Sequence, residues 1–93
     1  MFGGKTGRID LDCGIAYARI ATWLDDELAL PRDESRWVFH DAGKTCRISL
    51  ELLENRMFRH VSIERTRLVA EGDAEVLASF EKLFTLRFIS AGG

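Results

Sequence analysis

Cys13 is the residue with the clearest potential for covalent chemistry, because Arg19 follows it with five residues between. The hydrophobic pattern predicts that Cys13 lies where a strand ends and a helix begins. Amide groups at a helix N-terminus can lower the pKa of a thiol and hold an oxyanion. The pair therefore defines one candidate catalytic site, that of a thiol enzyme.

The spacing of Cys13 and Arg19 resembles the Cys-x5-Arg motif that phosphatases and rhodanese-like enzymes place around a thiolate. The resemblance implies a reactive thiolate at Cys13 with the arginine beside it. The alternative is a small buried thiol that packs near the start of a helix. The sequence leaves both interpretations open.

The C-terminal residues suggest a second kind of chemistry. Residues 86–93 alternate in polarity and then end in Gly92 and Gly93. This ending resembles that of ubiquitin-like sulfur carriers, whose C-terminal Gly-Gly is activated and thiocarboxylated. The resemblance implies a strand that runs into a functional tail, whereas the alternative is a frayed terminus of small residues.

An arginine-rich stretch is the third candidate site. Residues 36–67 hold seven basic and four acidic side chains in a chain of net charge −2. The candidate anion-binding residues lie in its second half, beside His60: Arg56, Arg59, Arg65 and Arg67. We expect them to be unpaired, near a turn and a bulge. Nucleic acid is not expected as a partner, because the chain is acidic overall and its aromatic residues are predicted to point inward.

Neither a metal nor a nucleotide cofactor is predicted. The residue types that bind zinc are few and lack paired spacing: Cys13, His40, Cys46 and His60. The Gly-Lys-Thr triplets at residues 4–6 and 43–45 lack the rest of a phosphate-binding loop. The acidic run at residues 25–27 is typical of a solvated helix face.

Periodicity predicts the element order β-α-β-β-β-α-β. A strand over residues 8–12 leads into a helix that Asp12 caps and that continues to about Ala29, before a proline. The second helix follows Asp73 as its N-cap, and a final strand covers residues 85–90.

The three middle strands form a predicted meander. A turn at residues 41–44 places Trp37 opposite Ile48 and Phe39 opposite Cys46, so that large apolar side chains share one face. A second turn at Asn55-Arg56 continues the pattern and gives further apolar pairs, Ile48 with Ile63 and Leu50 with Val61. On the opposite, exposed face the same register pairs Arg47 with Glu64, Glu51 with His60, Ser49 with Ser62 and Thr45 with Thr66.

These elements predict a single α+β domain over residues 1–93. The predicted fold is a two-layer sandwich, a ferredoxin-like variant with a mostly antiparallel sheet and both helices on one face. A hydrophobic share of 46% and a charged share of 30% are ordinary for a globular chain. No apolar run reaches the roughly 18–20 residues that a membrane span needs.

The prediction for function is a small cytoplasmic, non-catalytic module that contacts a protein partner or a second copy of itself. Two cysteines without an export signal favour a reducing compartment and free thiols. An open sheet also has edge strands that pairing can satisfy. The thiol enzyme and the sulfur carrier are the alternatives.

Overall fold

The computed structural model describes residues 5–89 and shows one antiparallel five-stranded sheet and two helices. The strands are β1 (Thr6–Cys13), β2 (Arg32–Asp33), β3 (Arg36–Asp41), β4 (Lys44–Phe58) and β5 (Val61–Asp73). The helices are α1 (Tyr17–Thr22) and α2 (Ala74–Phe84). Each continues as a π-helical segment, Trp23–Glu27 after α1 and Thr85–Ile89 after α2. The strand order is β1-β5-β4-β3-β2, which confirms the predicted α+β class.

The helices cover one face of the sheet and leave the other face to charged side chains. Sheet residues such as Ile48, Leu68 and Ala70 are fully buried beneath the helices. Trp23 and Phe80 stack above them, with ring centroids 5.8 Å apart. The core is therefore a single layer of apolar contacts between helices and sheet. Within residues 5–89, no helix is long and apolar enough to span a membrane.

The first hairpin follows the predicted register. Trp37 pairs with Ile48 and Phe39 pairs with Cys46 between β3 and β4. Ala42 and Gly43 form the turn, and both have a positive φ, 52° and 79°. Glycine tolerates that conformation without steric cost, which explains the turn at this position.

The predicted register of the second hairpin is wrong. Ile48 pairs with Ala70 rather than Ile63, and Leu50 pairs with Leu68 rather than Val61. The chain does not turn at Asn55-Arg56 but continues to Phe58 and turns at residues 59–60. Both registers put apolar residues opposite one another, so the alternation alone could not distinguish them.

The predicted polar pairs of that hairpin change with it. Arg47 pairs with Glu71 and Glu51 with Arg67, so each charge still meets an opposite charge. Ser49 lies opposite Val69, and Thr45 pairs with His40 of β3. The break in alternation at residues 65–68 predicts a bulge in β5, but the bulge lies in β4, between Leu53 and Arg56.

Gly72 fixes the observed register. It lies opposite Cys46. A Cβ at position 72 would lie 2.6 Å from the Cys46 Cα and 2.5 Å from the Thr45 carbonyl oxygen. Its φ of 151° is also unusual for a residue with a side chain. Only glycine fits where β5 crosses β4 this closely.

The predicted final strand is also wrong, because Thr85–Ile89 is π-helical and continues α2. Phe88 packs against Trp23 and Phe84, with ring centroids 5.3 and 5.1 Å apart. This aromatic contact holds the segment on the helical layer. The observed order is therefore β-α-β-β-β-β-α, and the ferredoxin-like variant is not confirmed.

The predicted N-cap is confirmed for α2 but not for α1. Asp73 caps α2 as predicted, since its carboxylate accepts hydrogen bonds from the amides of Glu75 and Val76. Asp12 does not cap α1, which begins after Ala16 without a side-chain cap. The π-helical segment that continues α1 ends at Glu27, close to the predicted end of the helix at Ala29. Ala29 itself adopts a positive φ of 50°.

The close crossing at Gly72 gives a test of the register. We expect Gly72→Ala to lower the free energy of unfolding by about 3 kcal/mol, because the new methyl group meets backbone atoms that must move. Gly7→Ala is the matched control in β1, where the nearest atom is the flexible Leu77 Cδ1 at 3.2 Å. Urea unfolding measures both losses, and equal losses would contradict the observed pairing of β4 with β5.

Candidate interaction surface

The β4–β5 hairpin extends beyond the rest of the sheet. β3 pairs with β4 only as far as Ile48, and β1 pairs with β5 only from Thr66 onward. Residues 53–65 therefore form a two-stranded ribbon with no third strand among the described residues, and we call them the arm. The described chain measures 54 × 30 × 22 Å, in keeping with this extension.

Large apolar side chains are exposed at the end of the arm. Met57, Phe58 and Val61 are 64%, 61% and 59% exposed, and Leu52 at the base of the arm is similarly exposed. Scattered exposed apolar residues are normal on a protein surface, but a contiguous group is typical of a binding site.

The bulge in β4 distributes these side chains over both faces of the arm. Leu52 and Met57 pair with Thr66 and Ser62, so both lie on the face that continues the buried side of the sheet. Leu53 and Phe58 pair with Arg65 and Val61 and lie on the opposite face. Each face of the arm therefore carries a leucine near the base and a larger apolar residue near the tip, and the face of Phe58 also carries Val61 and Ile63.

Polar contacts hold the bulge and the turn. The Asn55 side-chain amide donates to the Ser62 hydroxyl at 2.8 Å, and Arg65 donates to the carbonyl of Glu54 at 3.2 Å. Arg59 adopts a positive φ of 58° in the turn, and its guanidinium lies 5.7 Å from the centroid of the Phe58 ring. These contacts give the arm a defined shape without burying its apolar residues.

The structure separates the four candidate arginines into two pairs. Arg65 donates to Asp12, and Arg67 donates to Asp10 and to Glu51, so the expectation that both are unpaired is wrong. The reason is that β1 lies beside β5 and presents its aspartates to them. Arg56 and Arg59 make no ion pair with any carboxylate of residues 5–89, as expected.

The arginine contacts lower the pKa of two exposed carboxyls. Hydrogen bonds from Arg67 hold the pKa of Asp10 below its ordinary 3.8, and those from Arg65 do the same for the pKa of Asp12. Asp10 also lies 3.6 Å from Arg8, which itself approaches Glu71. On the charged face of the sheet, carboxylates of neighbouring strands thus neutralise Arg65 and Arg67, and these two arginines do not form a basic patch.

Cys13 and Arg19 do not share a site. Cys13 is only 8% exposed, and burial and the neighbouring Asp12 raise the pKa of its thiol. The guanidinium of Arg19 instead lies 5.5 Å from the centroid of the Phe88 ring, in a different depression from the thiol. The thiolate is the reactive form of cysteine, and this environment disfavours it.

The remaining candidates occupy structural positions. Cys46 is buried in the core, and burial raises the pKa of its thiol to about 11. In the acidic run, Asp25 accepts a hydrogen bond from the Trp37 indole at 2.7 Å, and Glu27 lies 3.1 Å from Arg87. Within the described part of the chain, no group of histidine, cysteine and acidic side chains could hold a metal ion.

The C-terminal tail, which resembles that of a sulfur carrier, cannot be assigned to a site from the described residues. Gly92 and Gly93 lie outside the described residues, and the predicted strand before them is π-helical as far as Ile89.

No family model matches the chain, and no curated protein or solved structure matches it either.

The arm is the feature that sequence reasoning missed. The predicted turn at Asn55-Arg56 would have ended the hairpin before Met57 and Phe58. The signal that was available is the cluster of exposed apolar residues on both sides of Arg59 and His60, which suits a longer hairpin with a tight turn there.

The environment of Cys13 predicts slow alkylation. Because the pKa of the thiol is raised, the thiolate fraction at neutral pH is smaller than in an unfolded chain. We expect iodoacetamide to modify Cys13 at pH 7.5 at least ten times more slowly in the folded protein than in urea. A Cys46→Ser background isolates the signal in a mass spectrum. Equally fast alkylation in both states would restore the thiol-enzyme interpretation.

The lowered pKa values of Asp10 and Asp12 predict a loss of stability in acid. A carboxyl whose folded pKa lies below its unfolded value stabilises the fold above the unfolded pKa and loses that contribution as pH falls through the folded pKa. We therefore expect the contribution to be complete above about pH 5, to decrease as the pH falls below the unfolded pKa of 3.8, and to be lost only below the lowered folded pKa of each carboxyl.

Urea unfolding at pH 6 and at pH 2.5 measures this loss. The decrease between the two pH values should be smaller in the Asp10→Asn/Asp12→Asn variant than in the natural chain. Asp26→Asn, at an exposed carboxylate without an ion pair among residues 5–89, is the control and should leave the decrease unchanged. The same decrease in all three proteins would contradict the assignment.

Proposed function

We propose that this protein is a non-catalytic interaction module that works through its arm, residues 53–65. The observation that carries the proposal is the exposure of Met57, Phe58 and Val61 on a ribbon that no neighbouring strand supports. An isolated two-stranded hairpin is marginally stable in water, and contact with another surface stabilises it.

The contrast with the rest of the exposed sheet supports the proposal. The charged face beyond the arm is linked by ion pairs across β1, β5 and β4, such as Arg67 with Asp10 and Glu51. The outer edge strand β1 carries Arg8, Asp10 and Asp12 on its exposed face, and charges of this kind protect a sheet edge from pairing with other chains. The arm has apolar side chains where β1 has charges.

The cysteine environments favour this function over thiol chemistry. Cys13 and Cys46 are both free and both buried, and both have raised pKa values. Two free thiols packed in a core are typical of a protein that resides in a reducing compartment. We therefore propose a cytoplasmic location for the module.

Site-specific photo-crosslinking in the native cell tests the proposal. Benzoylphenylalanine would replace Phe58 in one protein and Leu86, which is equally exposed at 60%, in the control. We expect light to produce a discrete covalent adduct from position 58 and none from position 86, because only the arm is docked. An adduct level at position 58 no higher than that of the control would contradict the proposal.

A further inference from the structure

We propose that the tip of the arm, residues 56–63, docks on a bilayer surface that carries anionic phospholipids. This inference rests on the proposed function of the arm and names its partner. Docking of this kind needs exposed apolar side chains that enter the interface and cations that face the lipid phosphates. It does not need a segment that spans the bilayer.

The first observation is the charge of the tip. Residues 56–63 read R-M-F-R-H-V-S-I and contain two arginines and no acidic side chain. The two acids of the arm, Glu54 and Glu64, lie outside this segment, toward the base. A chain of net charge −2 therefore presents a basic tip, and an anionic membrane attracts basic groups that come near its surface.

Both arginines of the tip are available to lipid phosphates. Neither Arg56 nor Arg59 forms an ion pair with a carboxylate of residues 5–89. Hydrogen bonds from Arg65 are the main cause of the lowered pKa of Asp12, and Arg56 acts on it only through its charge. Binding a phosphate would therefore break no ion pair of the described chain.

The second observation is that the tip is apolar on both faces. Met57 lies on the face that continues the buried side of the sheet, and Phe58 and Val61 lie on the opposite face, all about three-fifths exposed. A flat protein surface would cover one of these faces and leave the other in water. Lipid headgroups and upper acyl chains surround an inserted tip on every side, so both faces leave the water together.

The dimensions of the tip suit the interfacial layer. Met57, Phe58 and Val61 lie within two residues of the turn at residues 59–60, or about 7 Å along the strand. Membrane-surface segments bury their apolar side chains by about 5–10 Å at the boundary of headgroups and acyl chains. The long side chain of Arg59 allows its guanidinium, which lies beside the Phe58 ring, to reach the phosphates from the turn.

The length of the arm keeps the acidic part of the sheet away from the bilayer. Asp12 lies opposite Arg67, seven residues from the turn, which corresponds to about 20 Å along β5. Charges in solution are screened over about 8 Å at physiological ionic strength. The carboxylates of β1 therefore oppose docking of the tip only weakly.

Co-sedimentation with lipid vesicles tests the inference. The vesicles consist of phosphatidylcholine alone or of phosphatidylcholine mixed with phosphatidylserine. We expect the natural chain to bind the mixed vesicles at least tenfold more tightly, because each cation at an anionic surface strengthens binding about fivefold. The difference should decrease as salt is added, since salt screens the attraction.

A double variant isolates the contribution of charge. Arg56→Gln/Arg59→Gln should lose the preference for phosphatidylserine. Arg19→Gln/Lys82→Gln is the matched control, because it removes two exposed cations from the helices, and it should keep the preference.

A second double variant isolates the apolar contact. Met57→Gln/Phe58→Gln should bind the mixed vesicles at least tenfold more weakly than the natural chain, because two apolar side chains no longer enter the interface. Leu86→Gln/Ile89→Gln removes two apolar side chains that are also 60% exposed and should bind normally. Circular dichroism spectra and urea unfolding verify that each variant is folded.

Each outcome bears on a distinct claim. A natural chain that binds neither kind of vesicle, or both equally, overturns the anionic bilayer as partner, while a crosslink from position 58 to a protein would still support the proposed function. Vesicle binding that both tip variants leave intact places the contact elsewhere, and with no crosslink at position 58 it contradicts both claims. Binding that depends on the arginines but not on Met57 and Phe58 is adsorption by charge alone and overturns docking of the apolar tip.

Discussion

The close crossing of Gly72 over Cys46 sets the register on which the rest of the sheet depends. With a Cβ at position 72 only 2.6 Å from the Cys46 Cα, no other residue allows β5 to approach β4 in this alignment. The alignment places Leu68 and Ala70 beneath the helices and extends β5 far enough for β1 to pair along Thr66–Asp73. It also moves the hairpin turn out to residues 59–60, and the arm is the direct consequence.

The same register divides the surface into a part whose charges are paired within the sheet and a part, the arm, where charged and apolar side chains lack such partners among the described residues. Where β1 flanks β5, the arginines of β5 meet Asp10 and Asp12, and the exposed face forms its own ion-pair network. Where β1 ends, the hairpin continues without a flanking strand. The unpaired charges, the exposed apolar residues and the free backbone edge coincide there because all three result from the end of the neighbouring strands.

Sequence patterns predicted the elements that depend on local signals. The turn at Ala42-Gly43 and the cap at Asp73 follow from residue chemistry within a few positions, and both occur as predicted. The second register and the segment Thr85–Ile89 depend on distant contacts, Gly72 with Cys46 and Phe88 with Trp23. Alternation of polar and apolar residues was also compatible with the incorrect register and with a strand at residues 85–89. The arm could therefore not be located from the pattern alone.

Edge protection gives the physical reason to treat the arm as a site rather than as an accident of length. β1 is an edge strand that presents alternating charges, a common protection against pairing with other chains. β4 becomes an edge strand beyond Ile48, yet it carries Leu52, Met57 and Phe58 instead of a continuous row of charges. A chain that covers the edge at β1 with charges but exposes apolar side chains along the free edge of β4 has the composition expected of an edge that contacts another surface.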